Sequence, residues 1–210
     1  MHKSQFNPIY NNELYNLAKF VVEENFNHHN ADSNEDLRNE ITAVYKEEAS
    51  LNDSKIFFSK DFSNSITGSI RVVRWNKKDI LPIEKLFSIH PYQVIENQNI
   101  DIWHIGRFAV KKDRSGFKTF KALMTSAINE VCKNENSVAL AECDAKLLKT
   151  LILLGIECTT LSESIEYLGS ETIPVLISYA GLKSFLDKNK NLLHEGLTTV
   201  QKGAILKKTA

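Results

Sequence analysis

The sequence predicts an α/β (α+β) fold, a single domain over residues 1–210 with a mixed sheet and helices on both faces. Three observations carry this. Apolar residues recur at helical spacing in some windows and crowd into short β-branched and aromatic runs in others, in the order helix, helix, two strands, strand, helix, strand, helix, strand pair. The 210 residues suffice for one well-buried core and are short for two, since domains usually run to about 100–200 residues. An apolar share of 42% and a charged share of 25% are ordinary globular values, with no internal repeat and no window polar enough for a disordered arm.

Leu14, Leu17, Ala18, Val21, Val22 and Phe26 mark a first amphipathic helix, and Leu37, Ile41, Val44 and Tyr45 a second. Asp32 or Ser33 is placed to cap the second, with Glu35 and Asp36 favourable in its first turn. Lys55–Ser59 and Ser69–Trp75 read as paired strands separated by a polar segment ending in Gly68. Between Pro82 and Pro91 there is room for at most a short helix, around Ile83 to Phe87, before a central strand from Ile100 to Val110. Phe117, Phe120, Leu123, Met124, Ala127, Ile128 and Val131 then form one face of a long helix starting just beyond Gly116. Ser137 to Ala141 is a short strand, Ala145 to Leu154 a helix closed by Gly155, and Ile156 begins another extended segment. Glu166-Tyr167-Leu168 and Ile173–Tyr179 flank Gly169-Ser170-Glu171 as a hairpin, Leu182 to Leu193 is a last helix, and the Lys/Thr-rich end beyond Gly203 frays.

Lys+Arg and Asp+Glu balance at 26 each, which argues against nucleic acid or an anionic membrane as the main partner. No run approaches the roughly 18 apolar residues of a membrane span, and the first residues show no charged-then-apolar signal. Cys132, Cys143 and Cys158 are odd in number and lack C-x-x-C spacing, so neither a disulfide framework nor a thiolate metal site is expected, and the compartment reads as reducing and cytoplasmic. They are expected to be packing residues. The pair His28-His29 has no second cluster of ligands at a metal spacing, so no metal is expected.

The stretch from Ile102 to Lys118 carries the chemistry. A strand runs into a short basic turn with a glycine and a helix starts at once, so unpaired backbone N–H groups converge where the helix dipole favours an anion. Lys111, Lys112, Arg114, Lys118 and Lys121 surround that turn with only Asp113 opposing, which suits the phosphates of coenzyme A or the acidic face of an acyl carrier protein; the same charges also fit a solvated helix end. His104 and Arg107 lie three apart, which in a regular strand sends them to opposite faces. A bulge at Gly106 would bring both to one side and open a gap towards the next strand. There His104 is a candidate base for an attacking ammonium and Arg107 a fork for an acceptor carboxylate; a strand histidine and arginine satisfied by backbone carbonyls is the plain alternative.

This arrangement resembles the GNAT superfamily, and more narrowly the autoinducer (acyl-homoserine-lactone) synthases and the long-chain N-acyl amino acid synthases. Gly68-Ser69-Ile70-Arg71, His104-Ile105-Gly106-Arg107-Phe108 and Leu168-Gly169-Ser170-Glu171-Thr172-Ile173-Pro174-Val175 carry the likeness, which spans about Leu14 to Tyr179. It implies a mostly antiparallel central sheet with splayed central strands, and transfer of an acyl group from acyl carrier protein or coenzyme A to an amine without a covalent enzyme intermediate.

By the same resemblance, a backbone N–H near Val110 polarises the thioester carbonyl. Val110, Lys112, Arg114, Ser115, Gly116, Phe117 and Lys118 form the donor-binding turn, and Arg71, Trp103, Phe108 and Leu151 contact substrate. His104 stands where the autoinducer synthases hold an acidic residue, which argues against S-adenosylmethionine as acceptor and for an amino acid or similar polar amine. The turn has one glycine where the family has two. The tyrosine that many GNAT acetyltransferases place in the helix after the fifth strand falls at Leu151, and Leu148, Leu151, Ile152 and Leu154 suit a long acyl chain as well as they suit a core. A short-chain acetyl-CoA-dependent acetyltransferase and a GNAT-shaped module that binds an acyl carrier without turnover are the alternatives.

Overall fold

Two helices open the chain, Pro8–His29 (α1) and Asn34–Ser50 (α2). Each buries one apolar stripe, and the two pack on each other through Ala18, Val22, Ile41 and Val44. The computed structural model describes residues 8–29, 34–51, 53–97, 99–112, 116–167, 170–193 and 197–201. Strands Ser54–Lys60 (β1) and Ile66–Arg74 (β2) pair antiparallel. The short helices Pro82–Phe87 (α3) and Pro91–Val94 (α4) each begin on a proline, whose fixed φ and missing N–H suit a first helical position.

Asp101–Val110 (β3) leads to Gly116–Val131 (α5), Ser137–Asp144 (β4) and Ala145–Leu153 (α6). Asp144 stops β4 and caps α6, its carboxylate accepting the Leu147 N–H at 2.7 Å. Cys158–Thr160 (β5), Ile165–Tyr167 (β6), Ser170–Ser178 (β7), Tyr179–Asn189 (α7) and Leu197–Gln201 (β8) complete the described chain. Gly155 ends α6 with φ 80°, the left-handed conformation that only glycine takes without strain.

The strands form one sheet in the order β5-β7-β4-β3-β2-β1-β8, with β6 beside β7. Every neighbouring pair is antiparallel except β3–β4, which is parallel. Strand alternation divides the core between two faces. Phe57, Ile70, Val72 and Ile105 pack with Leu123, Ile128, Leu182 and Phe185 of α5 and α7. Ile56 and Phe58 turn the other way, to Leu14 and Leu17 of α1, and Val73, Ile102 and Leu140 to Leu81 and Ile83 around α3. Among the described residues no helix is long and apolar enough to cross a membrane.

The sheet is mixed and mostly antiparallel, with helices on both faces, as expected. Four elements differ from the sequence reading. β4 continues past Ala141 through Glu142, Cys143 and Asp144, because β7 pairs with it that far. α7 ends at Asn189 and gives way to a 3-10 turn at Lys190–Leu192. α4 and β8 were not anticipated; β8 is an edge strand laid along β1, a contact distant in sequence. The caps Asp32 and Ser33, the turn residues Leu168 and Gly169, and the end beyond Gly203 lie outside the described residues.

Candidate active site

β3 and β4 are bonded side by side only over their first halves. Their register runs from Asp101↔Ser137 to Ile105↔Ala141 and stops. Beyond it β3 stays with β2 as far as Gly68↔Val110, while β4 stays with β7 as far as Asp144↔Thr172. Two strands held by their outer neighbours and released from each other leave a seam. A cavity of about 190 Å³ fills it, lined from both faces of the sheet.

The last residue of β3 is oriented by its ladder. The Lys111 N–H donates to the Thr67 carbonyl at 2.8 Å, which makes Gly68↔Val110 a non-hydrogen-bonded antiparallel pair. The N–H and carbonyl of Val110 therefore face away from β2, to the side that β4 has left.

Between Ser69 and Arg71 the β2–β3 register slips, and Arg107 and Phe108 together oppose Ile70. The left-handed φ of 53° falls on Arg107, not on the expected Gly106, and the Ser69 hydroxyl donates to the Arg107 carbonyl at 2.9 Å. Gly106 matters for its missing Cβ, which would sit 2.9 Å from Arg71 Nη2 and 3.0 Å from His104 Cε1. The extra residue reverses the alternation, so His104 and Arg107 reach one face, while Phe108 turns to the other and meets Phe120 with ring centroids 5.0 Å apart.

On the α2 face an ionic network closes the seam. Arg107 Nε donates to Glu48 Oε1 at 2.8 Å and its Nη2 donates to Glu47. Lys85 of α3 donates to the other Glu47 oxygen at 3.1 Å. Arg71, only 1% exposed, places Nε 3.5 Å from Glu48 Oε1 and Nη2 3.1 Å from His104 Nδ1. His104 Nε2 stands 2.9 Å from both carboxylate oxygens of Glu142. A guanidinium only donates, so Nδ1 accepts from Arg71, and the ring proton sits on Nε2 and is donated to Glu142. Arg71 Nε and Nη1 have no hydrogen-bond partner among the described residues.

The charges respond to this burial. Burial alone would weaken the Arg107 cation, but the Glu48 and Glu47 carboxylates outweigh it and hold its pKa above the ordinary arginine value. For Arg71 burial prevails over the attraction of Glu48 and lowers its pKa. Burial opposes ionisation of Glu47 too, yet Arg107 and Lys85 hold its carboxyl below the usual range. Tyr167 also lines the cavity, and burial raises its phenol against the pull of Arg107.

The opposite half of the cavity is apolar, lined by Phe108, Met124, Leu147, Leu151 and Ile177. Leu151 is 4% exposed, and Leu148 and Leu154 pack on the neighbouring core. Ile152 is 56% exposed and so is not part of the lining anticipated for it. At the end of β3, α5 begins at Gly116 with no acidic residue in its first turn. Lys112, Phe117 and Lys118 are exposed there, and Lys121 Nζ lies 5.5 Å from the Phe117 ring centroid. Arg114 and Ser115 lie outside the described residues.

Of the residues singled out from sequence, Arg71, His104, Arg107, Phe108 and Leu151 meet at one cavity. Trp103 does not line it, because alternation along β3 directs its ring into the α5-side core. The fork of Arg107, expected to hold an acceptor carboxylate, is filled by Glu47 and Glu48. Glu47, Glu48, Glu142 and Tyr167 were not anticipated; the alternation beyond Ala141 was the available signal for Glu142. Burial pushes the Cys143 thiol up to about 12 and those of Cys132 and Cys158 to about 11, so none is a thiolate nucleophile at neutral pH. Among the described residues no group of three or more His, Cys, Asp or Glu is placed to hold a metal ion.

No family model and no curated protein matches this sequence. Solved structures do match its fold. FeeM, an N-acyl amino acid synthase from uncultured soil microbes, superimposes with TM-score 0.58 at 14% identity, over 82% of this chain and 94% of FeeM. The acyl-homoserine-lactone synthase LasI gives 0.55 at 13%, over 88% and 91%. FdhC, a nucleotide-linked sugar GNAT, gives 0.50 at 14%, over 85% and 90%. At these identities the likeness is one of fold, and by that fold the chain is GNAT-like, of the kind seen in FeeM and LasI.

Proposed function

We propose that the chain is a single-domain N-acyltransferase that moves an acyl group from acyl carrier protein or acyl-coenzyme A onto the amine of an amino acid or similar small acceptor. One observation carries this reading: a single cavity passes through the open β3–β4 seam with an ionic half on one face and an apolar half on the other. The two halves suit the two substrates. A polar amine belongs beside Arg71, His104 and Glu142, and an acyl chain belongs among Phe108, Met124 and Leu151.

The thioester lies where the halves meet, with its carbonyl oxygen on the Val110 N–H, an oxyanion donor of the kind worth about 3 kcal/mol. The phosphates of the donor run towards the start of α5, where Lys112, Arg114, Ser115, Gly116, Phe117 and Lys118 supply positive charge and backbone N–H groups. The proton of the attacking ammonium is taken up at the place where Glu142 meets the His104 ring. Arg71, two of whose guanidinium nitrogens have no hydrogen-bond partner among the described residues, is the residue for an acceptor carboxylate. Arg107 supports the site by tying α2 to the bulge.

The volume bears on chain length. The cavity of about 190 Å³ is shared by the two halves, so its apolar part takes more than an acetyl group but not a long chain without movement of its lining. A long chain needs Phe108 or Leu151 to turn aside. Three cysteines without disulfide partners fit action in the cytoplasm.

The test is to express the protein and search lipid extracts by mass spectrometry for new N-acyl amines, against His104→Ala and Arg107→Ala. New products from the wild type that vanish in both variants are expected. Equal products from all three would remove the assigned roles, and no product with either donor would favour a binding module. Melting-temperature shifts with coenzyme A and with acyl carrier protein rank the two donors.

A further inference from the structure

His104 stands between a cation and a carboxylate, and its two contacts decide where its proton lies. Arg71 Nη2, 3.1 Å away, occupies the Nδ1 lone pair. The ring proton is left on Nε2, shared between the two oxygens of Glu142 at 2.9 Å each. A general base needs a lone pair turned to its substrate, and this imidazole has none left. Adding a proton to Nδ1 would set a second N–H against a guanidinium that is itself 1% exposed.

Glu142 is differently placed. Among the described residues one donor, His104 Nε2, serves its two oxygens, which together offer about four lone-pair sites. It lines the cavity where β4 parts from β3, directly after the last paired residue, Ala141. Glu47 and Glu48 are bound to Arg107, whereas among the described residues the Glu142 carboxylate bonds to the His104 ring.

We propose that Glu142 is the catalytic residue that takes the proton of the attacking ammonium, with His104 a neutral positioning residue held as its Nε2–H tautomer by Arg71. This rests on the acyltransferase reading above. The ammonium gives one proton to the Glu142 carboxylate, and the freed nitrogen lone pair forms the C–N bond at the thioester carbon. As the C–S bond breaks, the sulfur takes the second nitrogen proton through a water and leaves as a thiol. The proton on Glu142 then passes to solvent.

The test uses decanoyl-coenzyme A and decanoyl-acyl carrier protein as donors with a panel of L-amino acids. In H104Q the side-chain carbonyl can still accept from Arg71 and the amide can still donate to Glu142, but the group cannot carry a proton at neutral pH. H104Q is expected to keep kcat within about tenfold of the wild type and to keep the acid limb of its pH profile. E142Q is expected to lose about 10²–10⁴-fold in kcat together with that limb, at unchanged melting temperature and donor KM. The other charged or titratable groups around the cavity, Glu47, Arg71, Lys85, Arg107, Cys143, Asp144 and Tyr167, with Glu48 behind Arg71 and Arg107, are the same in both variants.

The reverse ranking, or E142Q equal to an active wild type, overturns the assignment and leaves the acyltransferase reading standing. A wild type without product from either donor sinks both. Should E142Q not fold, Glu142→Asp is to retain a measurable part of the rate and the acid limb, and complete loss in a folded E142D counts against the role. Nitrogen NMR of the His104 ring decides the tautomer without any turnover: a neutral ring protonated at Nε2 is expected, and a proton on Nδ1 at neutral pH overturns the proposal.

Discussion

The two halves of the β3–β4 pair are built from the same strands and behave oppositely. From Asp101 to Ile105 the ladder to β4 is closed, and its side chains either fill the core, as Ile102 does, or make an exposed pair, as Asp101 does with Arg74. From Gly106 to Val110 the ladder to β4 is absent, and side chains take its place: Arg107 reaches α2 and Phe108 meets Phe120, while His104, two residues before the opening, reaches across to Glu142 just beyond the last β4 pair. Where strands pair, their backbone groups are spent on each other. Where they part, backbone groups such as the Val110 N–H lose their strand partner and charged side chains pair with one another in the gap.

The largest expected contrast is energetic. Arg107→Ala leaves Glu47 and Glu48 buried without their shared cation and should cost about 3–5 kcal/mol in urea unfolding. Arg74→Ala at the closed half, where the arginine side chain is 56% exposed, should cost less than about 1 kcal/mol. Similar costs would break the comparison. Next is Gly106→Ala, whose new Cβ pushes on Arg71 and His104 inside a filled network; about 1–3 kcal/mol of overpacking is expected, with loss of product.

A smaller effect sharpens the assignment of the apolar half. Leu151→Phe takes space from the cavity and should move the products of an active enzyme to shorter chains by mass spectrometry, since each excluded methylene forfeits about 0.8 kcal/mol. An unchanged chain-length profile would place the acyl group elsewhere.

The smallest is a pH effect. Arg107 and Lys85, against the opposing effect of burial, hold Glu47 below the usual 4.5, so its folded form binds a proton less readily than its unfolded form. The stability it contributes is present above 4.5 and is lost as pH falls through the lower folded value. Urea midpoints measured from neutral to acid pH should fall less steeply in Glu47→Gln than in the wild type.

Much of this site was legible as a pattern. His104, Gly106 and Arg107 on one strand announced a bulge, and the basic turn before Gly116 announced a helix start. The bulge formed, yet its left-handed residue is Arg107, because the Ser69 hydroxyl and the Glu47–Glu48 pair hold that residue from outside the motif. Glu47 and Glu48 were not singled out, since nothing local tells a helix that it will lie over a sheet. The resemblance put Trp103 among the substrate contacts, and strand alternation sent it to the other face.

Local spacing and composition thus determined most of the elements, their order and the mixed sheet, because helical and strand periodicities are properties of short windows, while the splayed central strands were expected from the resemblance. Only the tertiary structure decided which carboxylates meet which cations, where the ring proton of His104 lies, and that Glu142 rather than a nearer residue faces it. Those outcomes depend on contacts between residues 33 to 60 positions apart, which only the folded chain brings within hydrogen-bond reach.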